Sequence, residues 1–196
     1  AWPDWYLIWD YCAGFICNWG VHHLDIANWG CPRIGSQAFE VECAADYRNE
    51  GFTNNVNGWD ATFRFADGLA MKFTDAGKKH PGCRFIGDEG WIHCDRGGKR
   101  IWGEPESLLK VTLKDSDTRL PESSHHQQNF LTAVRERNDP LSDVDSTHLA
   151  SSLGLLADIS ARLGRKLKWD PEQERFAGDE EANKMLVRPM CNGWKL

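Results

Sequence analysis

Two periods of alternation between apolar and polar residues divide this chain into helical and extended parts. The run from Phe15 to Trp29 is predicted to be a helix that ends at Gly30. Residues 37–47 and 59–65 alternate apolar with polar positions, the period of a half-buried strand. The Asn- and Gly-rich residues 49–58 between them are predicted to be a loop.

Turn signals then predict a series of hairpins. Asp67-Gly68 favours a tight turn, and Leu69 to Thr74 is predicted to return as an antiparallel strand. Gly97-Gly98 marks a later turn. The remaining strands are predicted at 83–86, 90–94, 99–102 and 108–113.

Helical spacing returns in the last third of the chain. Residues 123–137 are predicted to form an amphipathic helix capped by Ser123 or Ser124. A longer helix is predicted over 145–163, with Gly164 at its end. Residues 168–196 are interpreted as a C-terminal arm that runs over the surface and contains a short helix near 179–186. Its predicted anchors are Trp169, Phe176 and Trp194.

This order of elements predicts the α+β class. A helix, then hairpin-connected strands, then helices indicate one domain over residues 1–196, with an open, mostly antiparallel sheet and helices packed on one face. Trp59, Phe63 and Phe65 share one strand face and would form a large apolar patch if that face were uncovered. Because such patches commonly mark protein contacts, the pattern predicts a homo-oligomer formed through the open sheet.

Composition narrows the classes of partner and compartment. The net charge of −6 and the scattered basic residues argue against nucleic acid as a partner. No apolar run approaches the roughly 20 residues that cross a bilayer, so no membrane association is predicted. The chain begins abruptly and shows no secretory signal.

Its seven cysteines are interpreted as free thiols in the cytoplasm, with a disulfide or a metal site as alternatives. The ten tryptophans fit a thick core, a subunit interface or a sugar-stacking wall.

The candidate chemistry lies in the first predicted helix. Asn18, His22, Asp25 and Trp29 are four, three and four residues apart, so they share one helix face. A histidine there can accept or donate a proton near neutral pH. The alternative is that His22 and His23 are ordinary helix residues. A metal site is disfavoured because adjacent helical residues point about 100° apart.

A second histidine pair, His125-His126, starts a later predicted helix. Local hydrogen bonding at the helix start explains this pair most simply. The alternative is that His126 reaches the same pocket as His22.

Several segments in order resemble the C-terminal domain of the Gfo/Idh/MocA oxidoreductases, the glucose-fructose oxidoreductase and inositol dehydrogenase family. Residues 10–14 followed by 18–25 resemble the family's glycine-rich turn and its D-x-G-x-H-x-x-D motif. Residues 86–92, 126–134 and the tail from 164 to 190 resemble later segments. The resemblance covers nearly the whole chain and implies the dihydrodipicolinate-reductase-like fold of that domain.

The resemblance also implies an activity and roles for residues. In this family a Rossmann domain holds NAD or NADP, and the C-terminal domain supplies the pocket for a sugar or cyclitol and the oligomer contact. His22 matches the family histidine that acts as acid, base or substrate ligand, and Asp25 matches an orienting acid. The pocket residues expected to bind substrate are Asn18, Trp19, His23, Asp25 and His126.

The chain departs from the family pattern at two points. Asn18 stands where the family has aspartate, and an amide cannot take a proton. No G-x-G-x-x-G follows a strand, so this chain shows no motif for binding NAD(P). The expected function is therefore the substrate-binding and oligomerisation half of an oxidoreductase, inactive without a separate Rossmann partner. The alternatives are a non-catalytic sugar-binding or assembly module, and a hydrolase or lyase that works through transient oxidation.

Overall fold

The computed structural model describes residues 4–47, 51–75, 81–188, 190 and 192–194. Within them lie two antiparallel sheets and the helices that cover the larger one. The strands are β1 (Phe39–Tyr47), β2 (Val56–Phe65), β3 (Ala70–Thr74), β4 (Cys83–Gly87), β5 (Gly90–Cys94), β6 (Ile101–Glu104), β7 (Leu167–Asp170) and β8 (Arg175–Phe176). The α-helices are α1 (Phe15–Gly30), α2 (Arg33–Ser36), α3 (His126–Glu136), α4 (Val144–Leu163) and α5 (Glu180–Lys184). Two 3-10 turns cover Asp4–Leu7 and Glu106–Lys110.

The larger sheet has the strand order β3-β2-β1-β7-β8, and every neighbouring pair is antiparallel. β1 lies at its centre, where Val41 is opposite Phe63 on β2 and Leu167 on β7. Directly opposed residues share a sheet face, so this register places all three side chains together. A second sheet has the order β4-β5-β6. The predicted α+β class with an antiparallel sheet is confirmed.

The core lies between the larger sheet and the pair of helices α1 and α4. Leu153 and Leu156 of α4 are buried against it, as the predicted apolar stripe requires. Phe63 is fully buried and Phe65 is 5% exposed, because both share the sheet face of Val41. The idea that Trp59, Phe63 and Phe65 form an exposed apolar patch is therefore wrong: the register turns them toward the helices.

The opposite face of the larger sheet is polar. Its positions on β1, β2 and β3 are Glu40, Glu42, Ala44, Asp46, Asp60, Thr62, Arg64, Ala70, Lys72 and Thr74. Glu40 lies opposite Arg64 across it, and Lys166 pairs with Glu40 at 2.7 Å. Any contact made by this face would be polar, unlike the apolar contact that the sequence pattern indicated.

Two strand boundaries differ from the sequence-based prediction. β2 begins at Val56, which is 1% exposed, so residues 56–58 are strand and not loop. The predicted strand at 108–113 is absent from this described segment; a 3-10 turn ends at Lys110 and an irregular stretch follows. Pro105 follows β6 directly and has no N–H to continue the ladder, which explains the end of the sheet there.

The C-terminal segment enters the larger sheet. β7 pairs with β1, with Trp169 opposite Phe39, so the stretch interpreted as a surface arm begins as sheet. Phe176 on β8 is 1% exposed and its ring lies 5.2 Å from that of Trp169. Trp194 is 76% exposed, so its predicted anchoring role is wrong. The sequence cue for β7 was the alternation around Lys168, which is too short to separate a strand from a loop.

Helix α3 is shorter than predicted and carries no side-chain cap. Its N-cap is His125, without a capping hydrogen bond, so the predicted cap at Ser123 or Ser124 is wrong. The apolar residues Phe130, Leu131 and Val134 are 47–55% exposed. Only Ala133 of this helix is buried. The predicted amphipathic face therefore exists but is not covered by the described part of the chain.

Ser160 completes the hydrogen bonding of β1 beyond its last pair with β7, Val41 with Leu167. Its Oγ accepts from the backbone N–H of Cys43 at 3.1 Å and donates to the carbonyl of Arg165 at 2.9 Å. We expect Ser160→Ala to lower the free energy of unfolding by about 1–3 kcal/mol, because it leaves a buried N–H without an acceptor. Denaturant unfolding measures the change. Ser151→Ala on the same helix is the control, and an equal loss from both variants would contradict the argument.

Two further features of the described residues concern environment. None of their helices is long and apolar enough to cross a bilayer. Six of their cysteines are free thiols: Cys12, Cys17, Cys31, Cys43, Cys83 and Cys94. Cys191 lies outside the described residues.

Candidate functional site

The residues singled out by their spacing lie on α1, whose start is fixed by a buried amide. Asn55 is 1% exposed, and its Nδ2 donates to the carbonyls of Tyr6 and Cys12 at 3.1 and 2.8 Å. Gly14 precedes the helix at φ +72°, a left-handed conformation that favours glycine. These contacts set the direction in which α1 leaves the turn.

The buried side of α1 decides which residues face outward. Ile16, Gly20 and Leu24 are buried. A Cβ at Gly20 would fall 2.6 Å from the ring of Phe73, so glycine allows the helix to lie close to the sheet. Because these residues turn one side of α1 inward, Asn18, Trp19 and His22 on the other side are exposed.

Four of the expected residues follow one another along the outer face of α1. Asn18 and His22 are exposed, whereas Asp25 and Trp29 are half-buried. Burial raises the pKa of Asp25, while the hydrogen bond from Trp29 and the charge of His22 act in the opposite direction. Asp25 is thus committed to its own helix, which suits an orienting group better than a proton carrier.

An arginine that the sequence analysis missed lies against His22. Arg96 is in the turn between β5 and β6, and its Nη2 is 3.1 Å from Nε2 of His22. Its guanidinium also lies over the ring of Trp19, 4.7 Å from the ring centre. Because arginine can only donate, Nε2 of His22 must accept, and the ring proton is then on Nδ1.

The same surroundings keep His22 neutral. Burial, then the positive charge of Arg96, then His23 lower the pKa of His22 below its usual 6.5, against a small rise caused by Asp25. A neutral imidazole with its lone pair on Nε2 can serve as a general base near pH 7. The arrangement can therefore accept a proton from a hydroxyl group presented at this surface.

The smaller sheet is fixed to α1 close to His22. The thiol of Cys83 on β4 donates to the carbonyl of His23 at 2.9 Å. Burial raises the pKa of Cys83 to about 12, so this thiol stays protonated and remains a donor. Phe85 lies against Gly30 at the end of the helix. These contacts place the β5–β6 turn, and with it Arg96, beside His22.

The other expected site residues lie differently. Nδ1 of His23 is 3.1 Å from the carbonyl of Trp19, so the ring hydrogen-bonds to its own helix. Trp19 is 49% exposed and forms the platform under Arg96. His126 is exposed at the start of α3, and within the described ranges no hydrogen bond or ion pair joins it to His22. The structure groups Trp19, His22 and Asp25 and leaves His126 apart.

The His22 cluster lies on an open surface. Two surface cavities of about 480 and 360 Å³ lie along β7, β8 and the start of α4, and neither is lined by a residue of α1. The candidate chemistry of His22 therefore lies outside both cavities. In the described residues no group of three His, Cys, Asp or Glu side chains has the arrangement of a metal site.

The described residues also do not fit a dinucleotide. Their strands pair only in antiparallel fashion, so these residues form no β-α-β unit with a glycine-rich turn. The pyrophosphate of NAD(P) would find no helix N-terminus of that kind in this part of the chain.

Comparison with known families identifies the domain. The Gfo/Idh/MocA model described as "Oxidoreductase family, C-terminal alpha/beta domain" matches residues 5–196. The chain belongs to this family. The predicted membership in the C-terminal domain family of these oxidoreductases is therefore confirmed. Comparison with curated protein sequences gives no significant match.

Solved structures share the Gfo/Idh/MocA domain fold at low identity. An aldose-aldose oxidoreductase from Caulobacter crescentus, complexed with glycerol, has TM-score 0.62 and 13% identity over 85% of this chain and 51% of that one. An NAD-binding protein from Listeria innocua has TM-score 0.60 and 16% identity over 84% and 54%. The WlbA dehydrogenase from Bordetella pertussis, in complex with NADH and UDP-GlcNAcA, has TM-score 0.56 and 17% identity over 83% and 47%. This chain spans about half the length of these relatives.

Proposed function

We propose that this chain is the substrate-binding half of an NAD(P)-dependent oxidoreductase that acts on a sugar or cyclitol. The proposal depends mainly on the environment of His22. This residue lies on an exposed face of α1, its pKa is lowered so that the ring is neutral, and its Nε2 accepts a hydrogen bond from Arg96. An open face suits one wall of a cleft whose other wall comes from a second domain. The family membership and the half-length match to relatives support the same proposal.

The relatives support the class of cofactor and substrate. The Bordetella pertussis dehydrogenase is in complex with NADH and UDP-GlcNAcA, and the Caulobacter crescentus protein is an aldose-aldose oxidoreductase. We infer a polyhydroxylated substrate for this chain. The nicotinamide cofactor would be bound by a Rossmann half, because the described residues do not fit it.

In this proposal each α1 residue has a defined task. His22 accepts the proton of the hydroxyl group whose carbon is oxidised. Asn18, one turn earlier, donates and accepts hydrogen bonds but carries no proton to exchange. Asp25, hydrogen-bonded to Trp29, orients the helix face. His23 and His126 remain proposed substrate ligands from neighbouring positions.

We extend the proposal to assembly and compartment. A homo-oligomer would form through the polar face of the larger sheet, on which Glu42, Arg64 and Lys72 offer complementary charges. A cytoplasmic location is proposed from the free thiols among the described cysteines.

One specific observation favours a second function. The Asn18 amide stands where a proton-exchanging carboxylate is expected, and the exposed Trp19 ring suits stacking against a sugar. A non-catalytic sugar-binding or assembly module would use the same surface without hydride transfer.

The test combines this chain with a Rossmann-type partner and measures formation of NADH or NADPH from a panel of sugars and cyclitols. We expect no binding of NAD⁺ or NADP⁺ to the chain alone by calorimetry, and reduced cofactor only when both halves are present. Each half alone is the control. Cofactor binding by the chain alone would contradict the division of roles, and sugar binding without turnover would favour the non-catalytic module.

A further inference from the structure

The guanidinium of Arg96 is held in place but not neutralised. It stacks on Trp19 and donates one hydrogen bond to His22. In the described part of the chain it makes no ion pair with a carboxylate. Four other arginines do have carboxylate partners: Arg33, Arg162, Arg165 and Arg175. The proposed site therefore contains a positioned positive charge without a counter-charge among the described residues.

One acidic side chain beside Arg96 in the sequence and one beside His22 on α1 have other hydrogen-bond partners. Asp95, which precedes Arg96, accepts at Oδ1 from the backbone N–H of Arg100 at 3.1 Å. Asp25 is hydrogen-bonded to Trp29. The remaining N–H groups of the Arg96 guanidinium therefore have no competing carboxylate from either neighbour.

Guanidinium chemistry defines what such a group binds. Arginine presents planar, paired donors that match a carboxylate or a phosphate, and it is more weakly hydrated than lysine. Stacking on Trp19 fixes the plane of Arg96 in advance, which lowers the ordering cost of binding. Neutral sugars offer only hydroxyl groups and gain much less from a fixed cation.

We propose that Arg96 binds the anionic group of the substrate, a carboxylate or a phosphate, so that the substrate of the His22 site is an anionic sugar. The proposal rests on the function proposed above and narrows its substrate class. It also links binding to chemistry at His22. An anion that engages the guanidinium competes for the N–H now donated to Nε2, and Nε2 is then released to face the substrate hydroxyl.

The first experiment measures sugar binding to the purified protein by calorimetry. The probes are glucuronate, glucose 6-phosphate and glucose, which share a ring and differ in the anionic group. We expect the tighter anionic probe to bind about tenfold or more above glucose, the lower end for a hydrogen bond to a charged group. The ratio between the two anionic probes tells carboxylate from phosphate.

Matched variants assign the preference to Arg96. Arg96→Gln is expected to abolish the preference for the anionic probes over glucose, and Arg96→Lys is expected to retain part of this preference. Arg84→Gln is the control, because Arg84 stacks on Trp91 at 4.4 Å in the same three-stranded sheet. This variant is expected to keep the preference. Three results would overturn the proposal. In the wild type, these are an affinity for glucose equal to that for the anionic probes, or no binding of either anionic probe. In Arg96→Gln, it is an unchanged ratio of anionic-probe affinity to glucose affinity.

A second readout separates this proposal from the general function. The ring signals of His22 in NMR report its titration, and its charged neighbours are Arg96 from the β5–β6 turn and His23 and Asp25 from α1. Binding of an anion at Arg96 is expected to raise the pKa of His22, and to do so in Arg84→Gln but not in Arg96→Gln. Turnover of neutral sugars unaffected by Arg96→Gln would overturn the anionic substrate and leave the oxidoreductase intact. Anion binding at Arg96 without turnover would support the anionic ligand and count against the oxidoreductase function.

Discussion

Replacement of Asp158 by alanine is expected to lower the free energy of unfolding by about 3 to 5 kcal/mol, the usual cost of breaking a buried ion pair from one side. Asp158 is 1% exposed, and its Oδ2 accepts from Nε1 of Trp9 at 2.9 Å and from Nε of Arg162 at 2.8 Å. The side chain of Arg162 is only 17% exposed and stacks on Trp9 and Tyr47. Without the carboxylate, this guanidinium stays partly buried and loses its partner.

Urea unfolding followed by circular dichroism measures the loss, read from the midpoint at unchanged slope. Asp158→Asn keeps an acceptor for Trp9 and Arg162 and is expected to lose less. Glu40→Ala is the matched surface control, since Glu40 pairs with Lys166 in solvent and such pairs contribute little. A loss for Asp158→Ala no larger than that for Glu40→Ala would show that the buried pair does not hold the N-terminal segment to α4.

The same carboxylate gives a pH dependence of known sign. Burial raises the pKa of Asp158 above 3.8, although Arg162 and Trp9 act to lower it. The folded state therefore binds a proton at a higher pH than the unfolded state does. The stability of the wild type relative to Asp158→Asn is expected to fall as pH rises through the folded-state pKa, and to recover on acidification toward 3.8. Unfolding of both proteins across this range checks the sign.

Local periodicity was sufficient to predict the elements that carry the site. The spacing of Ile16, Gly20 and Leu24 on one side and Asn18 and His22 on the other is a property of the segment itself, so α1 was predicted nearly to the residue. The hairpins were predicted for the same reason, because the conformation of a turn such as that after Phe65 depends on the residues of the turn itself.

Which face of a strand is buried could not be predicted in the same way. The alternation in β2 shows that Phe63 and Phe65 share a face with Trp59, but not whether that face meets helices or solvent. That choice depends on α4 and on β7, both of which come about a hundred residues later in the chain. β7 itself is too short for its period to be recognised.

Contacts between distant segments also had no local signal. Arg96 and His22 are separated by 74 residues, and Trp9 and Asp158 by 149. Arg96 lies in an ordinary glycine-containing turn, and only the attachment of β4 to α1 through Cys83 brings it to the site. The sequence could therefore indicate His22 as the proposed base, but not the arginine that lies against it and helps to lower its pKa.

If the proposed function holds, removal of the imidazole of His22 is expected to lower kcat of this chain combined with a Rossmann-type partner by about 10² to 10⁴-fold, the usual contribution of a positioned general base. In the proposed reaction Nε2 is the proton acceptor, so His22→Ala removes the acceptor while leaving α1 otherwise intact. The measurement is NAD(P)H formation under saturating substrate. Since His22 is exposed, the variant is expected to fold, and circular dichroism verifies this.

The pH profile separates a base from a structural residue. The proposed base must be neutral to accept a proton, and the pKa of His22 lies below 6.5, so kcat/KM is expected to rise with pH through that pKa and to level off above it. Arg96 lowers this pKa, so Arg96→Gln should move the inflection to higher pH. His22→Ala should lose the inflection altogether. His148→Ala is the matched control, because Nε2 of this exposed histidine on α4 lies 2.8 Å from Glu174 and His148 has no part in the proposed site, so this variant should keep the profile. Loss of activity in His22→Ala with an unchanged inflection would assign the base to another residue, since a group that sets the rate through its protonation must take the inflection with it when it is removed.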